Sequence, residues 1–131
     1  MKNSKNMRSL PFIIDQLNGG FMLVEGILSV KGQKLFIEFQ KKDAVMGAYK
    51  SDLATIEIPF SEIDMMEFKK GFFSSKLIIH GKNARALTEL PGDELTSRTL
   101  KVKKKNREVA ANISSKVNLE LSEIKLKELD E

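Results

Sequence analysis

Residues 96–129 read TSRTLKVKKKNREVAANISSKVNLELSEIKLKEL, and within them the spacing of apolar side chains changes. From Thr96 to Val102 the period is two: Leu100 and Val102 fall on one side, Thr99 and Lys101 on the other, as in a strand with one wet face. From Asn106, placed here as the N-cap, the period lengthens. Val109, Ala110, Ile113, Val117, Leu121 and Ile124 recur at three- and four-residue intervals, which sets them on one stripe of a helix over 106–129. Leu119, Leu126 and Leu129 fall toward the opposite side of that cylinder. They either serve a second packing surface, most simply another copy of the chain, or stand exposed on a fraying end.

The chain before residue 96 carries strand signals. Phe21–Val30 is a mostly apolar strand in which Gly26 marks a bulge or bend. Lys31-Gly32-Gln33 is a tight turn, and Lys34–Gln40 completes an antiparallel hairpin. Ala44, Val45, Met46 and Tyr49 suggest a short strand. Ala54–Ile58 alternates cleanly, Pro59 closes it, and Pro59–Ile63 makes a corner or one helical turn. Ile63–Lys70 is extended, Gly71–Ser75 turns, and Lys76–His80 pairs back as a strand rich in β-branched residues. Ala86–Leu90 reads as a short strand ended by the turn dipeptide Pro91-Gly92. These signals place β-structure over 20–103, a long helix over 106–129, and a polar, basic, disordered terminus over 1–9. The class is α+β, with the helix covering an open end or face of a bent antiparallel sheet.

One stretch carries a family likeness. Ile58-Pro59-Phe60-Ser61-Glu62-Ile63, then Met66-Glu67-Phe68-Lys69-Lys70-Gly71-Phe72-Phe73-Ser74-Ser75-Lys76-Leu77-Ile78-Ile79, then Pro91-Gly92 and a lysine-rich strand entering a long helix resemble the bacterial pleckstrin-homology-like domains. The order of elements matches from about Gly20 to Val117, and the wording from Ile58 to Ile79. The resemblance implies two nearly orthogonal antiparallel sheets forming an open barrel of about seven strands, capped by the C-terminal helix. It implies a scaffold for binding and assembly, whose loops meet lipid head groups, peptides or neighbouring subunits, and no enzyme. The phosphoinositide-binding members place two basic residues and then an arginine on the first hairpin. Here Lys31 and Lys34 are present but Phe36 stands at the arginine position, which argues against specific inositol-phosphate recognition, since a guanidinium fork is what grips phosphate bidentately.

Composition narrows the chemistry further. A chain of 131 residues, 41% apolar and 31% charged, is the size of one globular domain spanning 1–131. Cysteine is absent, which excludes disulfides, thiol nucleophiles and cysteine-bearing zinc sites. A single imidazole, His80, excludes multi-histidine metal sites. No phosphate-binding loop, dinucleotide fingerprint, nucleophile elbow or zinc-protease motif occurs. Ser74 and Ser75 are turn residues, and Asp64 with Glu67, or Asp93 with Glu94, are read as solvated carboxylates rather than a cation site. The expectation is therefore no catalytic residue, no metal and no cofactor. Apolar runs fall short of a secretory core or a membrane span, so the expected compartment is the cytoplasm, with a peripheral position on the inner membrane face as the variant.

Two groups of residues remain as candidate contacts. Lys69, Lys70 and Lys76 surround one hairpin tip, flanked by Phe72 and Phe73. The structural expectation is that these phenylalanines fold into the sheet corner or a subunit contact. The rival is that they press into a membrane interface while the lysines meet anionic lipid. A weaker basic patch comprises Lys101, Lys103, Lys105 and Arg107, within a run that starts at Arg98, and the alternation of the lysines suggests a shared strand face. No aromatic is interleaved with that run, so nucleic acid is disfavoured as a partner. The expected partners are another protein or a second copy, with an anionic membrane surface as the alternative.

Overall fold

The structure is a computed structural model that describes residues 8–130. Seven antiparallel strands form one sheet: β1 (Leu10–Leu17), β2 (Met22–Lys31), β3 (Lys34–Asp43), β4 (Ala54–Pro59), β5 (Ile63–Lys69), β6 (Ser74–Gly81) and β7 (Ser97–Lys103). A single helix, α1 (Arg107–Leu129), follows. The spatial order is β4-β3-β2-β1-β7-β6-β5, and no pairing joins β4 to β5, so the sheet stays open and does not close into a barrel. The two halves meet at β1 and β7 through the partners Ile13 and Lys101.

One face of every strand enters a single hydrophobic cluster. Leu10, Leu28, Ile37, Ile58, Ile63, Leu77 and Leu100 contribute one residue from each strand. A sheet that gathers one face of all seven strands into one cluster must bend over it, and α1 covers the remaining opening beside β5, β6 and β7. The predicted helical stripe does this packing: Val109, Ala110, Ile113, Val117 and Leu121 are buried and Ile124 half-buried. Leu119, Leu126 and Leu129 are exposed. Asn106 does precede the helix, but its side chain makes no capping hydrogen bond, because a 3-10 turn over Lys104–Asn106 feeds directly into α1.

Several expectations are corrected. The sheet begins at Leu10, ten residues before the expected start, since Leu10, Phe12 and Ile14 alternate inward on β1. Gly26 is neither bulge nor bend: the ladder from Met22↔Asp43 to Lys31↔Lys34 is unbroken. A side chain at Gly26 would collide with the Phe12 ring and the Glu38 carbonyl, so the missing Cβ is what lets the phenyl ring lie across the strand. Ala44, Val45 and Met46 form a turn, because Asp43 Oδ1 accepts the backbone N–H groups of Val45 at 2.9 Å and Met46 at 2.7 Å that a strand would use. Only Tyr49 bridges back, to Lys42. These two N–H donors hold the Asp43 carboxyl below its ordinary value.

Ala86–Leu90 is likewise a turn-rich loop and no strand. Arg98, expected on the basic surface, is buried with 6% exposure and holds that loop. Its guanidinium donates to the carbonyls of Leu90 at 2.6 Å, Glu94 at 2.6 Å, Ser97 at 2.7 Å and Leu87 at 3.0 Å. Burial of Leu87 and Leu90 beneath it explains the apolar rhythm that looked like a strand. The sequence reading of residues 1–9 falls mostly outside the described residues.

Candidate functional site

The β5–β6 hairpin carries the site. Its turn is tight because a side chain at Gly71 would run into the Ser74 carbonyl. Gly71 N–H donates to the buried Ser75 Oγ at 3.3 Å, and the Gly71 carbonyl accepts from Arg107 Nη2 at 3.3 Å. The first residue of α1 thus ties down the tip from beneath. The Nε of the same guanidinium is buried and has no partner among the described residues.

Above that anchor the two phenylalanines point outward. Phe72 is 80% and Phe73 83% exposed, and their rings pack edge to face with centroids 4.7 Å apart. The expectation that they fold into the sheet corner is overturned within this chain. Ser75, Leu77 and Ile79 occupy the inward face of β6, and the rings lie past the end of the ladder, where no core remains to receive them.

Strand register joins the two groups that the sequence kept apart. Lys69 pairs with Lys76 across β5 and β6, and Lys76 pairs with Lys101 across β6 and β7. Three lysines therefore form a row across three strands on the outer face of the sheet. Two residue pairs nearer the tip, Lys103 stands opposite Ser74, and Lys70 is exposed just past the end of β5. Lys105 does not share the strand face: it sits in the 3-10 turn past β7. Like charges placed directly across strands cost stability, so this row works against the fold that displays it.

Two carboxylates temper the charge. Asp15 accepts from Lys101 Nζ at 2.8 Å. Glu67 accepts from His80 Nε2 at 2.9 Å and lies 3.7 Å from Lys69 Nζ. The His80 hydrogen bond, with Lys69 adding, holds the Glu67 carboxyl below its usual value. All five side chains are partly or largely solvated, which keeps these pairs weak. Lys70, Lys76 and Lys103 have no ion-pair partner among the described residues.

Asp15 was not singled out from the sequence, nor was the role of Arg107 as a tether, and Glu67, read there with Asp64 as a solvated carboxylate, instead engages His80 and Lys69. The β6 register was within reach once the Gly71 turn was placed, because a hairpin turn fixes which residues face each other. The Asp15 contact depends on β1 pairing with β7 across 86 residues and had no local signal. No helix among the described residues is long and apolar enough to cross a membrane. No protein family, curated protein or solved structure matches the chain.

Proposed function

We propose that this chain is a pleckstrin-homology-like, non-enzymatic binding module of the bacterial kind that docks on an anionic membrane surface through the β5–β6 tip. The observation that carries this reading is the pairing of two exposed phenylalanines with a lysine row on the adjoining face. An apolar tip beside ammonium groups matches the interfacial region of an anionic bilayer, where rings reach the acyl boundary and cations meet head groups. Each lysine near such a surface contributes roughly 1 kcal/mol, and each ring roughly 1.5–3 kcal/mol if it is fully buried. Lys69, Lys70 and Lys76 with Phe72 and Phe73 then give a gross attraction of about 6–9 kcal/mol before ordering costs, enough for reversible peripheral binding.

The strand order and single helical cap support the pleckstrin-like assignment, as does the corner at Phe60–Glu62 between β4 and β5. On this reading the protein works at the inner face of the cytoplasmic membrane, without a cofactor. Nucleic acid fits less well, because no aromatic is interleaved with the lysines along the strands, where the outward neighbours are Ile78, Thr99 and Ser74, and the two rings at the tip pack edge to face on each other.

Vesicle sedimentation tests the proposal. Binding to phosphatidylcholine vesicles containing phosphatidylglycerol, falling between about 0.1 M and about 0.5 M salt and lost on Lys69→Glu with Lys70→Glu, is the expected result. Equal recovery with and without the anionic lipid contradicts it.

A further inference from the structure

We infer that the chain self-associates by seating the exposed C-terminal stripe of α1 from one copy in a basic-walled cleft on the outer face of the sheet of another. The cleft has a volume of about 490 Å³ and lies where the outer face of β1–β3 meets the end of β7. Its apolar surface comes from Pro11, Ile13, Ile27 and Leu53, of which Ile27 and Leu53 are exposed in the isolated chain. Lys101, Lys103 and Lys105 form one wall. Among the described residues neither Lys103 nor Lys105 is ion-paired. Glu25 also lines the cleft, but Lys42 at 3.0 Å and the Tyr49 hydroxyl at 3.0 Å already occupy its two oxygens, and they hold its carboxyl below the ordinary value. Glu38 is the remaining carboxylate there.

The complementary surface is on α1. At 100° per residue, Leu119, Glu123, Leu126 and Asp130 fall on one narrow stripe opposite the buried one, and Leu129 flanks it. Leu126 is 62% and Leu129 81% exposed. Apolar and acidic residues alternate along this stripe, matching an apolar floor beside a lysine wall. Neither Glu123 nor Asp130 has an ion-pair partner among the described residues. The charges on the neighbouring sides of the helix are Lys116, Glu120 and Lys127 on one side, of which Lys116 and Glu120 engage each other at 3.4 Å, and Lys125 beyond Leu129 on the other.

The helix cannot reach its own cleft. Asn106, immediately before α1, lines the cleft, and the 23 residues of α1 then lead away from it. At 1.5 Å per residue Leu129 lies about 33 Å from Arg107, so the end of a straight helix fills a cleft only on a second copy. Past Leu121 only Ile124 is half-buried; Ile124, Lys125 and Glu128 border a groove shared with Gln33, Lys34 and the Pro59–Ser61 corner, while Leu126 and Leu129 stay exposed.

Size exclusion with light scattering over a concentration series tests this. The wild-type mass should rise above the 14.8 kDa of one chain as concentration increases. Lys103→Glu with Lys105→Glu, and separately Glu123→Lys with Asp130→Lys, should each weaken association by about tenfold or more. An equimolar mixture of the two double variants should regain it, because the reversed cleft of one then faces the reversed helix of the other. Far-UV circular dichroism verifies that each variant retains the fold, as expected for exposed positions. A wild-type mass that stays at one chain at every concentration overturns the inference. So does an oligomer that neither double variant weakens, or one that the mixture fails to restore. Lys69→Glu with Lys70→Glu, the pair that tests membrane docking, lies outside the cleft and should leave the mass unchanged, so the two readings fail separately.

Discussion

Asn118 grips the backbone of Met66 with both ends of its side-chain amide: Met66 N–H donates to Oδ1 at 2.9 Å, and Nδ2 donates to the Met66 carbonyl at 2.8 Å. Met66 lies on β5, the last strand of the sheet, so the amide of a helical residue stands where a neighbouring strand would pair. An exposed edge is a template for unwanted strand addition, and α1 blocks it here at its midpoint. Self-assembly through the β5 edge is thereby closed at Met66.

Replacing Asn118 by Ala should therefore cost about 2 kcal/mol, the consequence of leaving a partly buried N–H and C=O without partners. Urea denaturation measures the loss. Amide hydrogen exchange at Met66 should accelerate beyond the change expected from global stability alone. Asn118→Asp should recover only part of the stability, because a carboxylate accepts from the N–H but offers nothing to the carbonyl.

Arg98→Met should cost about 3 kcal/mol, since it strands the carbonyls of Leu87 and Leu90 inside the protein. Limited proteolysis should show new cleavage between Lys82 and Leu95, the loop the guanidinium pins. Unchanged protease resistance would show that Leu87 and Leu90 hold the loop by packing alone.

Lys76 sits between Lys69 and Lys101, so removing its charge relieves two cross-strand repulsions at once. Lys76→Thr should raise the urea midpoint and at the same time weaken sedimentation with anionic vesicles. Opposite signs in the two measurements mark a residue kept for binding at the expense of stability. A fall in both would mark Lys76 as structural.

The Glu67 carboxyl gives a pH dependence of defined sign. Its folded-state value lies below the ordinary 4.5, chiefly through the His80 hydrogen bond. The unfolded chain therefore binds more protons in that window, and the stabilisation is complete above about 4.5 and lost as pH falls through the folded value. Glu67→Gln should be less stable than the wild type at neutral pH. The two urea midpoints should converge as the solution is acidified below that point.

Much of the fold was legible because its signals are local. The change of period at Asn106 located α1, and the alternation of Ala54–Ile58 and Thr96–Val102 located β4 and β7. What escaped detection depends on contacts distant in sequence. Phe12 fills the space over Gly26, so a glycine that suggested a bulge turns out to accommodate a ring from β1. Arg98 looked like one of a surface run because charge is usually solvated, and only the carbonyls of the 82–96 loop make its burial tolerable. The candidate tip residues were identified from composition at a turn. That Lys76 and Lys101 stand face to face required the β6–β7 register, which no local pattern specifies.

The chain contains no tryptophan, so a single Phe72→Trp substitution reports on the tip alone. Addition of vesicles containing phosphatidylglycerol should shift its emission to shorter wavelength as the ring leaves water, and pure phosphatidylcholine vesicles should leave it unchanged. An indole that still emits as a solvated side chain when the protein sediments with anionic vesicles would contradict docking through Phe72 and Phe73, as would an equal shift with neutral lipid.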